Sequence, residues 1–263
     1  MKRFIILAII PLMFLGCQSK NEYSNYNLDQ ESIVIATLWF QQSAEAKSLY
    51  YQGFNIAKER VIEFKKSAGE KPQAVIVDLD ETMIDNSRFQ GRVIETGKGY
   101  SNESWADWSQ QEMASALPGA LEFTLFCDSL GVEIFYISNR RVTELEWTMN
   151  NLNKLGFAFV KPENFILMDN TSGKEERREL VAQNYEIILL LGDNLNDFSD
   201  VFEKRGDDWG LGVVDKFRNE FGRRFIVFPN PMYGEWEKNI YDHKRDLTNE
   251  EKFKLRRSKV VSY

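Results

Sequence analysis

The chain has 263 residues and a formal net charge of −7, with 43% hydrophobic and 28% charged residues. That is ordinary globular usage with length enough for a core and a smaller cap, and the acidic balance argues against a broad basic face for a nucleic-acid polymer. One histidine, His243, and two cysteines, Cys17 and Cys127, exclude a paired-histidine phosphatase, a metal centre built on several imidazoles and a disulfide framework.

Lys2 and Arg3 precede an apolar run from Phe4 to Leu15, broken only at Pro11. The run is shorter than the about 20 residues a spanning helix needs, so residues 1–16 read as a secretory signal. Gly16-Cys17 looks like a lipobox, with Phe14 where leucine is usual. Cys17 would then be acylated and become the mature amino-terminus. An ordinary signal with a coincidental cysteine, or an uncleaved anchor, is the alternative. Gln18 in place of aspartate after the cysteine points to lipid anchoring in the cell envelope, at the outer membrane of a Gram-negative bacterium. Residues 17–30 are polar and read as a flexible tether.

Residues 31–66 carry helical periodicity: Ile35, Leu38, Trp39 and Gln42, then Leu49, Tyr50, Phe54, Ala57 and Val61. Gly53 marks a weak point between two helices, and Gly69 and Pro72 end the region. Ala74-Val75-Ile76-Val77-Asp78 reads as a buried parallel strand. Similar runs lie at Val132–Ile137, Tyr185–Leu191 and Phe225–Phe228, with a weaker one at Leu211–Val214. Helical patterns at Gly119–Ser129, Val142–Leu155 and Lys174–Gln183 separate several of them. This alternation predicts an α/β domain with a doubly wound parallel sheet. Its core spans about 72–83 and 119–230, and residues 31–70 and 84–118 are expected to form a helical cap. Cys127 falls in an apolar helical stretch and reads as a buried, inert thiol. The charged stretch Tyr241–Tyr263 is a terminal helix or a loose tail, with the basic residues of 252–259 on a solvated face.

The chemistry lies where apolar strands end in polar residues, because those ends share one rim in an open parallel sheet. The first ends in Asp78-Leu79-Asp80-Glu81-Thr82, the second in Ser138-Asn139-Arg140 and the third in Gly192-Asp193-Asn194-Leu195-Asn196-Asp197. Lys174 opens the helix before the third. In extended backbone Asp78 and Asp80 share a side while Leu79 points to the core. Asp193 and Asp197 are one helical turn apart if the loop winds. Four gathered carboxylates repel unless something compensates, and a hard cation such as Mg2+ suits carboxylates plus a phosphate. Ser138, just before a helix, can donate to a phosphate oxygen near that helix's N-terminus, and Lys174 adds a point positive charge. For Asp85 and Asn86 a turn or helix cap is the expected role. Asn139 and Arg140 support phosphate, cap a helix or form a surface ion pair. Asp207-Asp208 reads as a solvated loop and His243 as exposed.

Asp78-Leu-Asp-Glu-Thr82 resembles the DxDx[TV] motif of the haloacid dehalogenase-like superfamily, with Ser138, Lys174 and Asp193/Asp197 matching its second, third and fourth motifs. More narrowly, the stretches Val77–Ser87, Phe135–Arg140 and Gly192–Asp197 resemble the class C acid phosphatases, the lipoprotein-e family or DDDD phosphohydrolases. Trp39, Gln41 to Ser43, Tyr51-Gln52 and Ala57-Lys58 are similar to that family's amino-terminal helices. The resemblance implies a haloacid dehalogenase-like core and hydrolysis of small phosphomonoesters through an aspartyl-phosphate. Asp78 would be the nucleophile, and Asp80 the leaving-group acid and then the base. Asp80 would start protonated, raised by neighbouring carboxylates. Mg2+ would be held by Asp78, the backbone carbonyl of Asp80, Asp193 and, directly or through water, Asp197. Ser138, Asn139 and Lys174 would bind phosphate. In lipoprotein-e relatives aromatic side chains sandwich a nucleobase, a role carried over to Phe89 and Tyr233; core or cap packing is the alternative for each ring. The implied substrates are nucleoside 5′-monophosphates, nicotinamide mononucleotide included. Expected partners are the monoester and, through Cys17, a membrane, with no nucleic-acid polymer; a homodimer is left open. Competing functions are a non-catalytic surface lipoprotein acting as receptor or adhesin, and a phosphotransferase.

Overall fold

The computed structural model describes residues 28–67, 69–244 and 246–263; Cys17 and the signal lie outside the described residues. In chain order the helices and strands are α1 (Leu28–Gln42), α2 (Ala44–Lys65), β1 (Gln73–Val77), β2 (Ile84–Asp85), α3 (Ser87–Thr96), α4 (Asn102–Gln110), β3 (Ser115–Ala116), α5 (Ala120–Ser129), β4 (Glu133–Arg141), α6 (Leu145–Leu155), β5 (Phe165–Met168), α7 (Glu175–Asn184), β6 (Glu186–Gly192), α8 (Leu211–Lys216), β7 (Phe225–Val227), α9 (Glu235–Ile240) and α10 (Asn249–Ser258). Among the described residues no helix is long and apolar enough to cross a membrane.

Five strands form one sheet in the order β5-β4-β1-β6-β7, every pair parallel. β1 is central and every residue of it is buried. Its side chains alternate between two cores. Val75 and Val77 belong to the larger one with Tyr50, Phe54, Phe123, Ile134, Leu189 and Phe228, and Ala74 and Ile76 to a smaller one with Phe135, Ile137 and Val181 of α7. Helices thus cover both faces, as expected for a doubly wound sheet.

Four readings change. The amino-terminal helical region breaks at Ser43, whose hydroxyl accepts from the Ala46 amide at 3.0 Å, and α1 already starts within the segment read as tether. Gly53 lies inside α2. A Cβ there would come within 2.5 Å of Phe228 Cε1, so glycine permits close approach to the ring rather than a bend. α2 therefore packs directly against α5, β6 and β7 as a layer of the core and is not part of a cap. Leu211–Val214 is helical: Gly210 takes φ 83°, and the Asp208 carboxylate accepts from the amides of Gly210 and Gly212 at 3.0 and 2.8 Å, winding the chain into α8. β5 at one sheet edge has no counterpart in the sequence reading. The terminal stretch does form a helix, α10, which packs on α1, and His243 is exposed.

Candidate active site

The rim where β1, β4 and β6 end gathers the residues of all four motifs. The Asp78 amide donates to Leu191 O at 2.9 Å, pinning the end of β1 to β6, while Leu79 drops wholly into the core. After β6 the chain winds one short 3-10 turn, Leu195–Asp197, capped by Asn194, and this turn carries Asp197 back over Asp193. The Asn194 amide donates to Asp197 Oδ2 at 3.0 Å. Gly192 makes that return possible, since a Cβ on it would lie 2.5 Å from the Cβ of Asp197.

Carboxylate oxygens of Asp78, Asp193 and Asp197 all lie within 4.8 Å of one another. Lys174, which caps α7, sits against them, with Nζ 2.5 Å from Asp78 Oδ1 and 2.6 Å from Asp197 Oδ1. Asn230, beyond β7, donates to Asp193 Oδ2 at 2.8 Å, and Thr82 donates to Asp78 Oδ2 at 3.3 Å. Three buried or half-buried carboxylates facing one ammonium leave an excess of negative charge and a set of hard oxygen donors, which fits a hard divalent cation. Burial pushes the Asp78 carboxyl up to about 7 despite Lys174, with Asp197 and Asp80 adding to the rise. Burial, Asp78 and Asp197 likewise raise Asp193 well above the carboxylate range. Lys174 stays charged: burial works against it, but Asp197 and Asp78 hold its pKa above the usual value.

The carboxylate of Asp80 stands apart from that cluster. Arg140 grips it, donating through Nε at 3.0 and 3.2 Å and through Nη2 at 2.8 Å. Asn86 Nδ2 donates to Asp80 Oδ1 at 2.8 Å, and the Ser138 hydroxyl donates to Oδ2 at 3.4 Å. Asn86 in turn accepts from Trp108 Nε1 at 2.8 Å. The remaining guanidinium hydrogens of Arg140 go to Ser109, Thr148 and Asn86, and Trp105 lies over its face. Arg140 is thus a buried partner of Asp80, not a surface ion pair, and Asn86 holds Asp80 without making a side-chain cap bond. Asp85 does form a turn, accepting from the Ser87 amide at 2.8 Å.

Glu81 has no role in the sequence reading beyond its place in the first motif. It is fully buried with φ 58°, a left-handed backbone that costs a side-chain-bearing residue about 1–2 kcal/mol. The conformation is tied down from three elements. Tyr50 of α2 donates to Glu81 O, the Asn86 amide donates to Glu81 Oε1 at 2.9 Å, and the Tyr233 hydroxyl donates to Oε2. Burial, with Asp80 and Asp193 nearby, holds this carboxyl well above its ordinary pKa.

The substrate-side expectations fare unevenly. Ser138 faces Asp80, but its strand runs on to Arg141 before any helix begins. Asn139 is exposed and its side-chain oxygen accepts from Arg177 Nη2 at 2.6 Å, which fixes the amide and leaves Nδ2 as its donor toward a phosphate oxygen. Phe89 is 2% exposed, wedged edge-on against Trp105 and Tyr100. It packs the cap and has no free face for a base. Tyr233 is half-buried and committed through its hydroxyl to Glu81. Arg177 and Arg178 of α7 also reach this rim and were not singled out. Cys127 is buried, with burial pushing its thiol up to about 12.

Residues 17–236 match the family profile of the HAD superfamily, subfamily IIIB (acid phosphatase). The fold is similar to that of the class C acid phosphatase from Bacillus anthracis, with 40% sequence identity and a TM-score of 0.85 over 90% of this chain and 99% of that one. A crystal structure of a class C acid phosphatase from the same organism with tungstate bound matches with the same identity, coverage and score. An acidic end to the central strand, a lysine between its carboxylates and this likeness over nearly the whole chain agree: the chain belongs to the HAD superfamily subfamily IIIB acid phosphatases and is a phosphomonoester hydrolase.

Proposed function

We propose that the chain is a Mg2+-dependent, lipid-tethered acid phosphatase that cleaves nucleoside 5′-monophosphates, nicotinamide mononucleotide among them. The observation that carries the reading is the contact of Lys174 with both Asp78 and Asp197 beside Asp193. It supports the reading because a carboxylate to attack phosphorus, an ammonium to hold the phosphate and a carboxylate set to hold the metal would then share one point. Asp78 Oδ would bond to phosphorus as the ester P–O bond breaks, giving an aspartyl-phosphate. Asp80, whose two oxygens accept from Arg140, Asn86 and Ser138, would take up a proton from solvent as the substrate binds, hand it to the departing alkoxide, then take one from the water that cleaves the acyl-phosphate. Arg140 and Asn86 would hold the Asp80 carboxyl toward the leaving group. Lys174 and Ser138 would grip the phosphoryl oxygens and offset developing charge.

Asp78, Asp193 and Asp197 would hold Mg2+ through their side chains. Asp80 could contribute only its backbone carbonyl, since its carboxylate is taken by Arg140. A bound Mg2+ supplies positive charge that lets the carboxylates stay ionised and polarises the phosphoryl group.

For the base, exposed Tyr100 and half-buried Tyr233 replace the Phe89 and Tyr233 pair. Tyr100 lies on the Trp105 side of Arg140 and Asp80, and Tyr233 on the Glu81 side. Cys17 would carry the lipid, placing the enzyme at the outer membrane of a Gram-negative envelope. Metabolic palmitate labelling that persists in Cys17→Ser overturns the anchor. A homodimer is compatible with this reading. The catalytic proposal is tested with Asp78→Asn: it should be folded and nearly inactive on p-nitrophenyl phosphate with Mg2+. Turnover near wild type rules out Asp78 as nucleophile. A monoester panel favouring sugar phosphates over nucleotides overturns the substrate class.

A further inference from the structure

Lys174 opens α7, and the next turn holds two arginines that point to different strand ends. Cations in the first turn of a helix are disfavoured by its dipole, so tertiary contacts must outweigh that effect here. Both side chains are buried, at 8% exposure for Arg177 and 5% for Arg178. Arg177 Nη1 donates to Ser138 O at 2.7 Å and Nη2 to Asn139 Oδ1 at 2.6 Å, at the end of β4. The same guanidinium ties down the loop before Lys174, donating to Ser172 O at 3.1 Å and to Gly173 O at 3.0 and 3.3 Å. Arg178 Nη1 donates to Asn196 O and Asp197 O, each at 3.1 Å, in the turn after β6. Its Nη2 is held by Glu175 at 2.5 Å and Asp200 at 3.0 Å.

We infer that Arg177 and Arg178 are positioning residues with separate duties. Arg177 registers Lys174 against Ser138 and so sets affinity for the phosphoryl group. Arg178 registers the Asp193–Asp197 turn and so sets affinity for the metal. The inference rests on the site reading above. The lysine must meet a serine from β4 and an aspartate from the turn after β6, and α7 touches both strand ends through fixed forks. A guanidinium can bridge several carbonyls at once, which a lysine ammonium on a flexible stem cannot do with the same geometry.

The test uses the whole enzyme and two calorimetric titrations, Mg2+ alone and orthophosphate at saturating Mg2+, on Arg177→Met and Arg178→Met. Arg177→Met should weaken orthophosphate about tenfold or more while the Mg2+ dissociation constant moves less than about threefold. Arg178→Met should do the reverse. Steady-state KM and kcat provide a second readout, with Arg177→Met raising KM for p-nitrophenyl phosphate more than it lowers kcat. Where a methionine variant does not fold, Arg177→Lys and Arg178→Lys carry the same crossed comparison. Variants that shift both affinities together, or neither, show a merely structural role and overturn the inference. A wild-type protein that neither binds Mg2+ nor hydrolyses monoesters overturns the site reading, and this inference with it. An active wild type whose variants fail to cross overturns this inference alone.

Discussion

Arg140 is the sharpest point at which to perturb the site. Its guanidinium is 2% exposed, meets both carboxylate oxygens of Asp80 and is satisfied at every nitrogen by Asp80, Asn86, Ser109 and Thr148. Burial works against its charge, but Asp80 outweighs this and holds its pKa above the usual value. Arg140→Met removes the fork and leaves Asp80 with Asn86 and Ser138 alone. Breaking a buried pair by deleting one partner destabilises by about 3–5 kcal/mol, so the variant should melt well below wild type yet fold at low temperature. Its chemistry should then fail selectively. General acid catalysis is worth about 10²–10⁴ in rate, and a misaimed acid forfeits part of it. The kcat/KM for alkyl monoesters, which reports the first half-reaction, should fall about 10²-fold or more because the alkoxide needs a proton. The kcat/KM for p-nitrophenyl phosphate, whose leaving group departs as an anion, should fall much less. The assay is steady-state kinetics on the two ester classes below the variant's melting range. Equal losses on both, or none on the alkyl ester, would refute the idea that Arg140 aims the leaving-group acid.

The metal-free site makes a pH prediction. Burial raises the folded-state pKa of Asp78 to about 7 and that of Asp193 well above the carboxylate range, so their contribution is present below the unfolded carboxylate range and is lost as pH rises, that of Asp78 through about 7. With EDTA the melting temperature should drop over that interval, and Mg2+ should restore it most at the alkaline end; a rise with pH in EDTA contradicts the burial argument. Gly192→Ala places a methyl 2.5 Å from the Cβ of Asp197, so it should destabilise by about 1–3 kcal/mol and weaken Mg2+ binding, both seen by melting with and without metal. A variant with unchanged metal affinity would show that the close approach is incidental. Cys127, buried with its thiol pushed up to about 12, should resist DTNB at pH 8 in the native enzyme and react at once in denaturant.

Residues that announce themselves locally were readable in advance. An apolar, β-branched run ending in Asp-Leu-Asp needs no partner to be recognised, and the same holds for Lys174 and the Asp193–Asp197 spacing. Arg140 was not readable, because a buried arginine and an exposed one look alike in a string and its carboxylate lies 60 positions away. Arg177 and Arg178 did leave a signal: two cations at the dipole-unfavourable end of a predicted helix imply acceptors elsewhere. Glu81 left none, since its left-handed turn is enforced by Tyr50 and Tyr233 from opposite ends of the chain. Among the elements, β5 is only four residues long, so Phe165–Met168 carries little periodic signal. Leu211–Val214 has strand-like composition, but Asp208 and Gly210 decide its winding.

The placement of α2 bears on how the enzyme can be shortened. Tyr50 stacks on Phe228 and Phe54 packs against the same ring at a tilt, Gly53 lets the ring sit against the helix backbone, and the Tyr50 hydroxyl reaches both Glu81 O and Pro229 O. A truncated version that begins at the first strand would keep Asp78, Asp80, Ser138, Lys174 and Asp193 yet lose the wall against which the Glu81 turn is braced. The smallest unit that can be minimised, permuted or fused therefore starts ahead of residue 44, on the far side of a helix that carries no catalytic group of its own.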